Sequence, residues 1–108
     1  MVHPAELYFP TAGTFTSIGG TFGSHEFSAA ARLLDGTVLI TGGQKPGGSG
    51  SADSDIFDPS AGTVVTVGNM TTGRHEHTAT LLPHGTVLIT GGYTVWPAAT
   101  SSAELYKP

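Results

Sequence analysis

The sequence predicts an all-β protein built from four-stranded antiparallel sheets, and three observations support this fold class. The chain repeats itself without a gap at a shift of 49 residues, so that residues 36–43 fall on residues 85–92. Each copy contains a short, β-branched apolar run that a pair of glycines ends. Turn-forming dipeptides separate the apolar runs at short intervals. A repeat of this length is one supersecondary unit, which buries its faces against neighbouring units.

The first two strands of each copy form a predicted hairpin. Residues 37–41 read Thr-Val-Leu-Ile-Thr and follow directly on Asp35 and Gly36. Dipeptides of this kind supply the positive φ angles of tight hairpin turns. The preceding run, residues 29–34, is therefore the expected antiparallel partner, and the second copy repeats the pattern 49 residues later.

The next two strands alternate in polarity and flank a second turn. The third strand is predicted at residues 6–9, 55–58 and 104–107, and an Ala-Gly turn leads to a fourth strand at 14–17 and 63–67. Proline cannot donate to a sheet ladder, which suits the end of a strand. Each third strand is followed by one, namely Pro10, Pro59 or Pro108.

Four short strands in a period near 50 residues resemble a blade of a kelch-type β-propeller, and the resemblance covers essentially the whole chain. The family's double glycine is present in both copies, and an aromatic residue follows the second glycine after fourteen residues. The next aromatic of the family falls on Phe15 and Val64, and Val64 is a departure that weakens the anchor between blades. The residues that match the structural motif are Gly42, Gly43, Gly91, Gly92, Tyr8, Phe57 and Tyr106.

The resemblance implies how the strands are divided among blades, if they are labelled a to d from the propeller axis outwards. Residues 1–108 then form a single partial propeller unit. Residues 5–27 supply strands c and d of a split blade, residues 28–67 form a complete blade, and residues 77–108 supply strands a, b and c of the next.

Two blades' worth of sheet leave apolar faces and open strand edges in water, so we expect closure by homo-oligomerisation. Head-to-tail association with a closing rotation gives a ring, and rings of about 4 to 8 blades allow a dimer, a trimer or a tetramer. The six-bladed form that is frequent in the family implies a trimer. The c strand occurs twice, at residues 5–9 and 103–107. Both would compete for one place at each junction, so one must be displaced or must add an edge.

Composition excludes several partners. The formal charge is −4 with only four basic residues, which cannot build a phosphate-binding stripe for nucleic acid or an anionic membrane. No run of 18 apolar residues and no secretory signal are visible. Cysteine is absent, which excludes disulfides and thiolate chemistry but leaves the compartment unknown.

Successive strands of a blade run in opposite directions, so the a–b and c–d turns lie on one face and the b–c and d–a connections lie on the other. By this strand parity every long loop falls on the second of these faces, namely residues 19–27, 44–52, 68–76 and 93–102. The face of the a–b and c–d connections has only tight turns. Because binding groups concentrate on loops that a rigid scaffold displays, we expect any partner on the face that carries the long loops. The predicted ligand-binding residues there are His25, Arg74, His75, His77, Tyr93 and Trp96.

These side chains also have structural interpretations. Arg74 is either a hydrogen-bond donor between blades or a ligand clamp, and Trp96 either packs on its own loop or stacks on a sugar ring or a partner. His75 and His77 suggest a metal, but catalytic zinc needs three protein ligands, and the repeat offers no obvious third. We therefore predict no metal site, with a structural role for His77 and an exposed His75.

Three functions remain open. The chain is predicted to be a non-catalytic scaffold that binds a protein or a carbohydrate, without a cofactor. A second interpretation is a piece of a propeller enzyme resembling galactose oxidase, whose copper site uses a Tyr cross-linked to Cys; this chain has no Cys to supply it. The third is a structural or engineered fragment that has no ligand.

Overall fold

The chain folds into antiparallel β-sheet, and the computed structural model describes residues 5–18 and 26–108. This part contains no helix, which confirms the all-β prediction, and no helix able to cross a membrane is therefore found in it. The described strands, in chain order, are β1 (Glu6–Phe9), β2 (Thr14–Ser17), β3 (Ala29–Arg32), β4 (Val38–Thr41), β5 (Ser54–Asp58), β6 (Thr63–Val67), β7 (Thr78–Leu81), β8 (Val87–Thr90), β9 (Tyr93–Val95), β10 (Ala98–Ala99) and β11 (Ala103–Tyr106).

The largest sheet has four strands in the order β3-β4-β5-β6, each antiparallel to its neighbour. Leu39 pairs with Ala31 on one side and with Ile56 on the other, so these three apolar side chains share one face. Val65 of the last strand continues that face. The period-two alternation of a half-buried strand accounts for this grouping.

A second sheet has three strands in the order β7-β8-β11. Its strand β11 forms one edge, and among the described strands none pairs with the outer side of β11. Two hairpins complete the fold, β1-β2 and β9-β10. The β9-β10 hairpin lies within residues 93–102, for which the sequence predicted only a loop.

The turns that lead into β4 and β8 differ in one respect from the predicted geometry. Gly36 has φ of 90°, but Asp35 is not among the residues with positive φ, so only one of the two turn residues is left-handed. Leu33 donates its N–H to the carbonyl of Thr37 at 2.8 Å, and the N–H of Gly36 returns to the carbonyl of Leu33 at 3.0 Å. A type I turn followed by a left-handed glycine fits this pattern better than a two-residue turn with both φ angles positive.

A small apolar core lies between the four-stranded and the three-stranded sheets. Leu33 and Leu39 contribute from the first, and Val87 and Ile89 from the second. Strands β3 and β7 lie close together across this interface. The opposite face of the three-stranded sheet is open, and its Leu105 is 51% exposed. No sheet closes on itself within the described residues.

The β1-β2 hairpin lies against the other side of the four-stranded sheet. Leu7 and Phe9 of the hairpin line a shared cleft with Phe57 and Pro59. Phe57 is buried, whereas Phe9 remains about half exposed. The four-stranded sheet therefore has both of its faces at least partly covered.

Candidate functional site

All long connections among the described residues meet at one end of the sheets, which we call the loop end: residues 42–53, 68–77 and 91–102. Backbone hydrogen bonds join the three. The N–H of Gly50 donates to Thr94 at 2.6 Å, and the N–H of Arg74 donates to Ser51 at 3.1 Å. His75 and Tyr93 exchange two bonds of 3.0 and 2.9 Å. The loop end is therefore a connected surface, as the parity of the strands requires.

Arg74 is the largest fully buried side chain among the described residues, and its contacts organise this end. Its Nη1 donates to the carbonyls of Gly91 and Ser102 at 3.1 and 2.9 Å. Its Nη2 donates to the Ser102 hydroxyl at 3.0 Å and to Oε2 of Glu104 at 2.9 Å. The guanidinium thus joins the connection before β7 to the end of β8 and the start of β11. Four acceptors within the chain occupy the two Nη groups, whereas the buried Nε has no hydrogen-bond partner among the described residues. These contacts give Arg74 a structural role within the three-stranded sheet.

Glu104 is the charged partner of Arg74, and its carboxylate also accepts hydrogen bonds from two backbone amides. The N–H groups of Thr71 and Thr72 donate to the carboxylate at 2.6 and 3.0 Å. Partial burial raises the pKa of Glu104, but the two amide donors and Arg74 outweigh it, so that the pKa lies below its usual value. The carboxylate is consequently ionised at neutral pH and fixes the loop at 71–74.

His77 lies at the start of β7 and links the two sheets. Its Nε2 is 2.9 Å from the Thr41 hydroxyl, and both residues are buried. Burial, reinforced by the charge of Arg74, lowers the pKa of His77 to about 4. A neutral imidazole at physiological pH is the form that suits this contact.

Two glycine backbones pass close to the His77 side chain. A Cβ on Gly42 would lie 2.5 Å from Cε1 of His77 and closer still to the carbonyl of Arg74. A Cβ on Gly92 would lie 2.9 Å from Cβ of His77. Both glycines have positive φ, of 64° and 85°. The double glycines therefore serve both conformation and close approach.

His75 is fully buried, so the expectation that it would be exposed is wrong. Its backbone pairs with Tyr93, which draws the side chain beneath the β9-β10 hairpin. The Tyr93 ring lies above it at a centroid distance of 5.9 Å. Neither ring nitrogen has a hydrogen-bond partner within the described part of the chain, and the carboxylate of Glu76 is 3.6 Å from Nδ1.

Two aromatic rings lie together at the loop end, the half-buried Tyr93 and the exposed Trp96. Their ring centroids are 4.7 Å apart with planes inclined by 57°, so the two rings make an open V. Trp96 is 60% exposed and precedes Pro97 through a cis peptide bond. Pairing of Val95 with Ser49, together with the bond from Gly50 to Thr94, holds the hairpin from below. We call Tyr93 and Trp96 the aromatic platform.

The structure thus separates the predicted ligand-binding residues into two groups. Arg74, His75 and His77 are buried, whereas Tyr93 and Trp96 reach the surface. His25 lies outside the described residues. Within residues 5–18 and 26–108 no group of three His, Cys, Asp or Glu side chains is placed to hold a metal ion.

Sequence reasoning missed several polar residues that build this end. Ser51 and Thr41 are fully buried, and Ser102 receives Arg74 through both its carbonyl and its hydroxyl. Small hydroxyl residues in a Gly/Ser-rich stretch look like a flexible loop, and no local signal marks the few that are buried. The repeat gave one sign that Thr41 has a structural role, because Thr41 and Thr90 occupy the same position at the ends of equivalent strands.

No model of a known protein family matches the chain, and no curated protein matches it.

Proposed function

We propose that this chain is a kelch-type propeller segment that works as a non-catalytic binding module and presents its loop end to a carbohydrate. The observation that carries the proposal is the aromatic platform. Trp96 is 60% exposed and lies beside Tyr93, and aromatic side chains are the usual anchors of binding sites. The platform stands on a hairpin that two neighbouring loops support, so the geometry is held before a ligand arrives.

The chemistry of the platform favours a sugar ring over other ligands. A pyranose has an apolar face of C–H groups and a polar rim of hydroxyls. The indole of Trp96 offers a matching apolar plane. The hydroxyls of Thr94 in β9 and of Thr100 just after β10 are close in sequence, and each also makes a hydrogen bond within the chain, to Ala98 and to Ser102. The net charge of −4 disfavours anionic partners.

Assembly into a ring is the second part of the proposal. The open face of the three-stranded sheet carries Leu88 and Leu105, which are the repeat equivalents of Leu39 and Ile56. In the four-stranded sheet, the face that carries Leu39 and Ile56 packs on the three-stranded sheet. A second copy offers the matching partner, and a head-to-tail contact of this kind closes into a ring, with a trimer as the expected state.

Binding to an array of immobilised glycans tests the first part. We expect the wild-type protein to retain a defined subset of glycans and the variant Trp96→Ala to lose them. The variant His84→Asn, on the opposite end, should bind as the wild type does. Retention of no glycan, or binding that depends on His84 instead of Trp96, would reject the proposal; capture by a protein array alone would replace the carbohydrate with a protein partner.

Light scattering tests the second part. A mass of three chains at micromolar concentration is expected, and a stable, folded monomer would contradict ring assembly.

A further inference from the structure

Two strands of this chain carry the same four residues, so either of them fits the position beside β8 in the three-stranded sheet. Residues 5–8 and residues 103–106 both read Ala-Glu-Leu-Tyr. Strand β11 holds the second copy of this tetrapeptide and pairs with β8. Strand β1 holds the first and pairs with β2, while its other edge meets no described strand.

The β1-β2 hairpin is a structural copy of the β5-β6 hairpin. Tyr8 pairs with Phe15 in the one, and Phe57 pairs with Val64 in the other, at positions that the 49-residue repeat makes equivalent. Both turns end at a glycine with φ of 69° that donates to a carbonyl at 2.7 Å. In the four-stranded sheet β5 pairs through its other edge with β4. The repeat equivalent of β4 is β8.

We propose that β1 of a second copy replaces β11 beside β8. The hairpin of the second copy then completes a four-stranded sheet in the order β7-β8-β1-β2, which copies the order β3-β4-β5-β6. Strand β11 of the first copy is released. This inference rests on the proposed assembly and names the strand that occupies each junction.

Side-chain chemistry supports the replacement. In the place of Glu104, Glu6 would accept the Arg74 guanidinium and the amides of Thr71 and Thr72. Glu6 is exposed in the present structure, so it is available for this role. Tyr8 would take the place of Tyr106, which packs on the apolar core, and would exchange its 49% exposure for partial burial.

The energy balance also favours the hairpin over the single strand. Residues 5–8 are identical to residues 103–106, so the ladder on β8 and the ion pair with Arg74 are kept. The two bonds from Arg74 to Ser102 are lost when β11 is released, and Pro4, which stands in the equivalent place, has no hydroxyl to replace that of Ser102. The hairpin adds β2 as a fourth strand, which covers the edge that β11 leaves open. Exchange of equivalent elements between copies is a low-cost route to assembly for this reason.

Engineered disulfides distinguish the two strands, and the chain has no native cysteine. In the present structure Leu88 pairs with Leu105. After replacement it would pair with Leu7 of another copy. Directly opposed residues in an antiparallel pair have Cα separations of about 4.5–5.5 Å, which a disulfide spans.

The test mixes the single variants Leu7→Cys and Leu88→Cys under oxidising conditions. We expect a disulfide-linked pair of chains that requires both variants. The matched control is the double variant Leu88→Cys, Leu105→Cys, whose intrachain disulfide should form in dilute monomer and should lock β11 and prevent assembly. A ring by light scattering without the link between chains would overturn strand replacement alone. A monomer at every concentration would overturn both strand replacement and ring assembly.

A second pair of variants tests the same inference without cysteine. Glu6→Gln should weaken assembly by about tenfold or more in dissociation constant, because one charged partner of the buried Arg74 is lost. Glu104→Gln should leave assembly unchanged or strengthen it, since β11 is released in the ring. The reverse order of effects would show that β11 keeps its place.

Discussion

Nη2 of Arg74 lies 2.9 Å from Oε2 of Glu104, and this ion pair fastens the connection before β7 to the edge strand β11. Arg74 is fully buried, whereas the Glu104 side chain retains 14% exposure. The pair is supported on both sides, by three further acceptors for the guanidinium and two amide donors for the carboxylate. Such support is what allows a buried charge to stabilise a fold.

Replacement of Arg74 should therefore be costly. Arg74→Ala removes the charged partner of Glu104 and the side-chain donor to the carbonyls of Gly91 and Ser102, and we expect a loss of about 3 kcal/mol in the free energy of unfolding. Urea denaturation of the variant measures it. Arg32→Ala removes an exposed arginine from β3 and should change stability by less than about 0.5 kcal/mol. Equal effects of the two substitutions would show that the Arg74 contacts contribute nothing.

Three glycines at the loop end should differ in how much stability is lost when a side chain is added. Gly92 has positive φ and no room for a Cβ. Gly91 has φ of 70°, and a Cβ there would meet the Thr100 carbonyl at an ordinary contact distance of 4.0 Å. Gly68 has open space without positive φ. We expect Gly92→Ala to cost about 3 kcal/mol or more, Gly91→Ala about 1 kcal/mol, and Gly68→Ala less than about 0.5 kcal/mol. Gly91→Val should cost about 2 kcal/mol, because a branched side chain is worse in that region. Thermal unfolding of the four variants gives the order, and equal melting temperatures would contradict it.

The repeat made much of the fold predictable. The tetrapeptide Val-Leu-Ile-Thr before each glycine pair marks a strand by its β-branched residues and its abrupt end, and both copies are strands, β4 and β8. The third strands were equally marked by alternation and a following proline. The β9-β10 hairpin was not marked, because Trp96 and Pro97 between its two short strands look like an irregular loop. Its strands exist because neighbouring loops offer backbone partners, which local sequence does not show.

The sequence predicted that the candidate residues lie at one end of the sheets, but it did not predict which of them are buried. Parity alone assigned Arg74, His75, Tyr93 and Trp96 to one end of the sheets. These residues differ in burial, and burial depends on which loops pack over each side chain. His75 illustrates the limit, since a histidine between Arg and Glu looks exposed, yet two backbone bonds to Tyr93 draw it inwards.

Two residues without glycine's freedom adopt a left-handed backbone at equivalent places of the repeat. Phe27 has φ of 56° and Glu76 has φ of 55°. A left-handed conformation costs most residues roughly 1–2 kcal/mol, and Asn tolerates it better. Glu76→Asn should therefore raise the free energy of unfolding by about 0.5–1 kcal/mol in urea denaturation. The matched control is Glu26→Asn, an exposed position without positive φ, which should give no gain. A loss of stability in Glu76→Asn would show that the Glu76 side chain, which is 3.6 Å from His75, outweighs the strain.

Stability should fall in mild acid because of His77. Burial and the neighbouring Arg74 lower the pKa of His77 to about 4, whereas the unfolded chain has the ordinary value of 6.5. Between these values the unfolded state binds more protons than the folded state, so stability is fully present above pH 6.5 and declines as the pH falls towards 4. The expected loss over this window is on the order of 2 kcal/mol. Urea titrations at pH 7.5, 5.5 and 4.5 measure it in the wild type and in His77→Gln, whose amide keeps a polar contact for Thr41 but does not titrate. The variant should be less stable at pH 7.5 and should lose less stability on acidification. A parallel decline in both proteins would assign the acid sensitivity to other groups.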